Sequence, residues 1–230
     1  MSRRLKESSC PEVRIQNAGR AVRKKMSKNN KSTEHYFVEH PKSKARFGLV
    51  CTYLRGRPFE FLTASGIFSR SRIDLGTRLL IECMVLPKKG HVLDIGCGYG
   101  PVGIAAAAFN PKLHVVLADL NSRAVWLARQ NVEKNLVYNA DVRRGNLYEP
   151  VQELLFDCVL SNPPVSAGLK TVRAIICEAP KHMPNKGTFQ MVVRSKVGGK
   201  RFRTFFEEAF GNVEVSARES GYRVLMSHKH

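Results

Sequence analysis

The sequence predicts an α/β fold, doubly wound around a mostly parallel seven-stranded sheet, with an N-terminal β-hairpin ahead of it and an antiparallel hairpin at its C-terminal end. Three observations predict it. From His91 onward, short apolar runs alternate with segments of helical periodicity, the rhythm of βαβ units. A glycine-rich turn joins the first of these runs to the first helix, the place where such sheets bind ligands. Only Arg218 to Gly221 separates the last two runs, too few residues for a parallel crossover, so those two must pair antiparallel.

Taken in order, residues 1–31 come first and read as an arm outside the domain. They carry ten basic residues against Glu7 and Glu12, a net +8, and few large apolar side chains. Such a segment cannot bury enough surface to offset its ordering entropy, which predicts a mobile arm or a helix that forms only on a partner. Residues 32–230 then form one domain. Loose alternation through Phe47, Leu49, Cys51 and Tyr53, then Phe59, Phe61 and Leu62, predicts a hairpin turning near Arg55 to Pro58. Leu75, Leu79, Leu80, Met84 and Val85 recur at helical spacing until Pro87 and Gly90 end the pattern. The expected strands of the main sheet are His91–Ile95, Leu113–Ala118, Asp141–Arg144, Phe156–Ser161, Thr188–Arg194, Val213–Ala217 and Tyr222–Ser227. Between them lie expected helices Pro101–Phe109, Ser122–Lys134, Leu169–His182 and Gly199–Phe210.

Composition narrows the function classes. With 43% apolar and 25% charged residues the chain is an ordinary globular protein. Its longest apolar stretches, such as Ile104 to Phe109, fall far short of the ~20 residues that span a bilayer, so no membrane partner is expected. The first thirty residues lack the apolar core of a signal peptide. A formal charge of +19 concentrates polyanions at the surface and makes nucleic acid the leading partner. Six cysteines, none within three residues of another, exclude a CxxC zinc or redox motif and read as reduced thiols in a cytoplasmic protein. His182, His228 and His230 have no ligand spacing, so no metal is expected. The cluster Lys196, Lys200, Arg201 and Arg203 sits at a helix start, where basic charge opposes the macrodipole; contact with RNA phosphates would explain the placement.

Asp94-Ile95-Gly96-Cys97-Gly98-Tyr99-Gly100 closes the first parallel strand and opens a helix. Glycines let the chain turn sharply and let a ligand approach the backbone. Gly98, Gly100 and Gly103 also satisfy GxGxxG, with Asp119 about 20 residues on, so spacing alone leaves NAD and S-adenosylmethionine both open. Asp94 tilts the choice, because a carboxylate there faces a diphosphate unfavourably but meets an α-amino group or its water shell well. Asp119 at the next strand end can accept hydrogen bonds from ribose hydroxyls. Ser161-Asn162-Pro163-Pro164 follows the fourth parallel strand. Two prolines hold the chain extended and remove two donors, which leaves acceptors: the Asn162 side-chain carbonyl and the Pro163 backbone carbonyl suit the two hydrogens of an exocyclic amine.

These segments resemble the class I methyltransferases of the methyltransferase small domain family: Asp94 to Gly100, Asp119, Gly145-Asn146 and Asn162-Pro163-Pro164. The stretch Phe61 to Ser69, continuing through Ile73 to Thr77, is similar to the lead-in of enzymes that methylate the guanine exocyclic amine of small-subunit ribosomal RNA, and the likeness is closest to single-domain archaeal members. It covers about residues 35–230. The resemblance implies a Rossmann-like methyltransferase sheet and S-adenosylmethionine as cofactor. It implies cofactor contacts at Asp94, Gly96, Cys97, Gly98, Gly100, Asp119, Leu120 and Asn146, amine binding at Asn162 and Pro163, and substrate contacts at Thr63, Gly66, Phe68 and Pro164. Two positions depart from the pattern. Val165 stands where adenine methyltransferases carry a stacking aromatic, which moves base stacking to Phe61, Phe68 or Tyr99; Asn146 stands where Asp is common. Bacterial relatives carry a second, degenerate domain copy, and no internal repeat is visible here, so substrate grip falls to the basic surface, the arm or a homodimer. The expected activity is N-methylation of guanine in ribosomal or other structured RNA. Methylation of a glutamine amide in a protein factor, and an inactive RNA-binding module with the same fold, are the alternatives.

Overall fold

In the computed structural model, which describes residues 45–67, 69, 71–163, 168–197 and 199–230, the main sheet has seven strands. The expectations for the arm 1–31 and for Phe68, Pro164 and Val165 lie outside the described residues. The chain runs through a hairpin of β1 (Phe47–Leu54) and β2 (Arg57–Ala64), then helix α1 (Leu75–Cys83), β3 (Gly90–Ile95), α2 (Pro101–Phe109), β4 (Leu113–Asp119), α3 (Ser122–Lys134) and β5 (Ala140–Arg144). It continues through β6 (Cys158–Ser161), α4 (Leu169–Glu178), β7 (Thr188–Arg194), α5 (Gly199–Phe210), β8 (Glu214–Glu219) and β9 (Tyr222–His228). The strand order is β5-β4-β3-β6-β7-β9-β8, parallel from β5 to β7 and antiparallel where β9 meets β7 and β8. The order reverses between β3 and β6, and a cleft opens outside the carboxyl ends of strands at such a reversal.

The parallel strands are apolar on both faces because both faces are covered. Along β3 and β4, Val92, Val115 and Leu117 join one core with α2 and the N-terminal hairpin, while Leu93, Ile95 and Val116 join a second with α4 and α5. That alternation is the period-2 geometry of a strand. Phe189, Phe206 and Phe210 stack at 5.2 to 6.2 Å in the second core. Both hairpins turn in two residues with positive φ, Arg55-Gly56 and Ser220-Gly221, as a tight antiparallel turn requires. The first turn is shorter than the sequence suggested, and Arg57 and Pro58 belong to β2.

Other boundaries differ from expectation by one to four residues, β8 for instance running to Glu219 and not ending at Ala217. The predicted helix 169–182 ends as an α-helix at Glu178, and Ala179–His182 continues as a 3-10 turn. Pro180 lacks the N–H that an α-helix would need there. The strand expected from Phe156 begins at Cys158: Phe156 N–H bonds to the His182 carbonyl (2.8 Å) instead of a neighbouring strand, and the Asp157 carboxylate accepts from His91 N–H (2.9 Å) as a clasp between strand starts.

The N-terminal hairpin forms a separate two-stranded sheet. Phe59 and Phe61 lie in its buried face, against Phe109 and Tyr99 respectively. Two side chains of α3 close its open edge. Asn131, fully buried, accepts from the Leu62 N–H (2.6 Å) and donates to the Leu62 carbonyl (3.0 Å). One turn later Asn135 makes the same pair with Glu60, at 3.1 and 2.8 Å. A side-chain amide carries the same donor and acceptor as a peptide, so the two asparagines stand in for a missing strand and cover an edge that would otherwise be open to pairing. On the outer face Phe47 packs on Trp126 of α3 with ring centroids 5.6 Å apart. Among the described residues no helix is long and apolar enough to cross a membrane.

Candidate active site

At the reversal of strand order, the ends of β3, β4 and β6 enclose a cavity of about 200 Å³. Gly96, Cys97, Gly98, Asp94, Asp119, Leu120, Asn146, Asn162 and Pro163 all line it, and Gly100 lies just behind as the residue preceding α2. Of the sequence-predicted substrate contacts, Thr63 is fully buried in β2, and Gly66 lies in the turn that follows. Neither is in the cavity wall, which at this side is formed by Ile67. Phe61 is fully buried with its ring edge-to-face on Tyr99 at 5.9 Å, so it is a core residue rather than a stacking platform.

Local hydrogen bonds shape the glycine loop. The N–H groups of Gly96 and Cys97 both donate to the Ala118 carbonyl, at 2.9 and 3.1 Å, which ties the loop across β4. Gly100 has φ 92° and no side chain to cap α2; Asp94 does so from the strand, its Oδ2 accepting from Gly103 N–H at 2.8 Å. Asp119 accepts from Gly98 N–H with Oδ2 and from Asn121 N–H with Oδ1, both at 2.8 Å. A Cβ at Gly98 would meet no atom within 4 Å, and its φ of 59° disfavours a side chain, so the backbone there borders open cavity. At Gly103, by contrast, a Cβ would sit 2.6 Å from Leu117 Cγ, so glycine is needed for α2 to lie close on β4.

This bonding weighs on the choice between the two cofactors that spacing left open, because several of the loop's amide donors are already engaged. A dinucleotide pyrophosphate needs free amide donors at the helix N-terminus. Here Pro101 has no N–H, Gly103 N–H is held by Asp94, Gly98 N–H by Asp119, and Gly96 and Cys97 by Ala118. Two carboxyls, Asp94 and Asp119, line the same cavity. In their ionised form these acceptors repel a diphosphate and fit a ligand with a cationic amine and vicinal hydroxyls.

Burial pushes the Asp94 carboxyl up to about 7, with the Gly103 N–H pulling the other way and Asp119 adding to the rise. Burial also raises Asp119, against the N–H groups of Asn121, Gly98 and Leu120. The sign for stability follows from proton counting. An unfolded chain ionises Asp94 near 3.8, so between about 4 and 7 the folded state holds the extra proton, and this group lowers stability as pH rises through that window. Asp94→Asn is expected to flatten that part of the melting profile; an unchanged slope would show that the carboxyl does not titrate there.

Asn162 enters from the end of β6. Its Nδ2 donates to Asp74 Oδ2 at 3.1 Å and to Thr77 Oγ1 at 2.8 Å. No hydrogen bond to its Oδ1 occurs among the described residues. Asp74 caps α1, accepting from Gly76 and Thr77 N–H, both at 2.9 Å. Asp74 and Thr77 are the partners of Asn162, a link that sequence reasoning, in which Ile73 to Thr77 figured only as part of the resemblance, did not make. An Asp three residues before a Thr at a helix start signals a cap, but nothing local shows that it reaches a residue 88 positions away. Asn146 is exposed at the rim, with its backbone carbonyl accepting from Glu149 N–H at 3.0 Å. Thr171 and Ile175 of α4 form the far wall. No cluster of three or more His, Cys, Asp or Glu suited to a metal occurs among the described residues.

Residues 58–226 match the family model of the methyltransferase small domain. The chain is 34% identical over 199 residues to the uncharacterized protein YbxB of Bacillus subtilis, covering 86% of this chain and 99% of that protein. It is 31% identical over 166 residues to ribosomal RNA small subunit methyltransferase C of Escherichia coli, covering 70% of this chain and 47% of the relative. The chain thus spans about half the length of that ribosomal RNA enzyme. Among solved structures, the Thermus thermophilus 16S rRNA N2 methyltransferase in complex with S-adenosylmethionine and guanosine aligns with a TM-score of 0.73 at 24% identity, over 83% of this chain and 52% of that one.

Proposed function

The chain belongs to the methyltransferase small domain family, and from that premise we propose that it methylates the exocyclic amine of guanine in ribosomal or other structured RNA, with S-adenosylmethionine as cofactor. The observation that carries this reading is the convergence of Asp94, the Gly96–Gly98 loop, Asp119 and Asn162-Pro163 on one cavity. The +19 charge and the ribosomal RNA substrate in the names of two similar proteins support RNA over a protein amide.

When bound, the cofactor supplies an electrophilic methyl group. The protein supplies position and electrostatics. The Asp119 carboxylate accepts backbone N–H groups at both oxygens and, with four lone pairs in all, retains acceptor capacity for a ribose hydroxyl. Asp94 offers negative charge at the strand end for a cationic amine. Asn162 Oδ1 and the Pro163 carbonyl accept the two hydrogens of the target amine and so aim its nitrogen lone pair. Labelled cofactor incubated with total RNA, followed by nucleoside mass spectrometry, should yield N2-methylguanosine; label in protein and none in RNA would overturn the substrate.

Asp119→Ala is expected to lose about 1.5 to 3 kcal/mol of cofactor binding, or about 10- to 150-fold in affinity by calorimetry. Equal affinity would reduce Asp119 to a turn residue. The basic arm 1–31 belongs to the same proposal, as the source of sequence-independent affinity for RNA in the cytoplasm. Its deletion is expected to weaken RNA binding at low salt and to flatten the salt dependence, because fewer counterions are released. Equal slopes for the two proteins would take the arm out of the interface. Whether a homodimer adds to that grip is read from the mass of the protein in solution, which the proposal places at one chain or two.

A further inference from the structure

We propose that Asp74 and Thr77 are positioning residues that set the hydrogen-bond polarity of the acceptor pocket, making it take an amine and refuse a carbonyl oxygen or a bare ring nitrogen. The inference rests on Asn162 being the amine-binding group and adds what orients it. A side-chain amide has two ends of opposite character, and a half-turn about its last bond exchanges them. Which end faces the cavity decides whether the pocket accepts or donates.

The network around Asn162 permits one orientation. Thr77 Oγ1 donates its hydrogen to Asp74 Oδ2 at 2.6 Å, so toward Asn162 the hydroxyl offers only lone pairs. The carboxylate oxygen it bonds offers only lone pairs as well. Both partners within reach of the buried end of the amide are therefore acceptors, at 3.1 and 2.8 Å from Nδ2. Turned the other way, Asn162 would bring its own oxygen against two acceptors and forfeit both bonds. The oxygen is left facing the cavity, which Thr77 and Asn162 both line. Asp74 is in turn fixed by the first turn of α1 through Gly76 and Thr77 N–H, so the helix start acts as the bracket for the amide.

The consequence is one of specificity. Guanine and a glutamine amide present an NH2; a uracil carbonyl presents only lone pairs, and the locked Asn162 oxygen repels it. A free amide could serve either.

Thr77→Val keeps the shape at a buried position and removes the hydroxyl, whereas Thr77→Ser keeps the hydroxyl. In full-length protein labelled with 15N, the Asn162 side-chain NH2 resonances should shift and exchange faster with solvent in Thr77→Val, and return toward wild type in Thr77→Ser. Asp74→Asn, which retains a good helix cap, should shift the same resonances. Single-turnover methyl transfer should fall about tenfold in Thr77→Val, as for one lost hydrogen bond, with cofactor affinity unchanged and Thr77→Ser restoring the rate. In an Asn162→Ala background Thr77→Val should cost nothing further, because the residue it orients is gone. Unshifted Asn162 resonances in Thr77→Val, or a loss that adds in full to that of Asn162→Ala, would overturn the proposal. The resonances need no substrate, so a wild-type protein that labels no RNA counts against the RNA assignment and leaves this test standing.

Discussion

Asn162→Ala is expected to bind S-adenosylmethionine nearly as the wild type does and to lose methyl transfer by about 10² to 10³, as when one preorganised polar group acting in a transition state is removed. The two halves of the expectation come from different places in the site. The proposed cofactor contacts lie on the Asp94–Gly100 loop and Asp119, whereas the side-chain hydrogen bonds of Asn162 go to Asp74 and Thr77. In the proposed reaction the amine, by contrast, depends on the Asn162 oxygen for the direction of its lone pair. Asn162→Asp keeps an acceptor but sets a second carboxylate against Asp74, 3.1 Å from the present nitrogen. It should retain a fraction of activity where alanine retains almost none. A collapsed turn would show itself differently, by losing cofactor affinity and melting temperature along with the rate. Wild-type single-turnover rates in Asn162→Ala would remove this residue from amine binding.

The largest stability effect is expected at Asn131→Leu, a swap of similar volume at a fully buried position. Beyond its pair with Leu62, the Asn131 amide donates to the carbonyl of Tyr99 at 2.8 Å, so one side chain joins the hairpin, α3 and the glycine loop. Leucine would leave the part-buried Leu62 N–H and carbonyl and the buried Tyr99 carbonyl without this partner. At about 1 to 3 kcal/mol for each group stranded, with some relief from local shifts, the loss should be about 3 to 5 kcal/mol. In a domain of this size that lowers the melting temperature by on the order of 10 °C. Asn135→Ala, at the partly exposed rung of the same ladder, should cost about 1 kcal/mol because water replaces what is lost. Equal costs at the two rungs would mean that burial of Asn131 is not what makes it matter.

These two asparagines also show why part of the molecule was legible in its sequence and part was not. The parallel sheet could be read because strands covered on both faces are apolar runs, and because Gly98, Gly100 and the Ser220-Gly221 turn carry backbone demands that few other residues meet. That the glycine loop and Asn162-Pro163 would meet at one cavity could be read because both follow parallel strands at the same sheet edge. Asn131 and Asn135 could not, since polar residues four apart on a helix look like a solvated face until a strand edge is placed beside them. Asp74 had the look of a cap and is one; its second bond depends on the end of β6 lying beside the start of α1, which only the tertiary fold establishes. Phe61 misled in the opposite sense, because an aromatic near a substrate motif and an aromatic in a core have the same letter.

The chain has a single tryptophan, and the contact of Trp126 with Phe47 puts it where the hairpin meets α3. Excited beyond the tyrosine band, the protein therefore carries a built-in optical reporter of that junction alone, 45% exposed and open to quenchers. Far-ultraviolet dichroism follows the helices and the main sheet instead. Recorded during the same denaturation, the two signals tell whether the hairpin leaves as its own cooperative unit before the sheet melts or goes with it. Coincident curves would mean that the asparagine ladder has made one folding unit of two separate sheets.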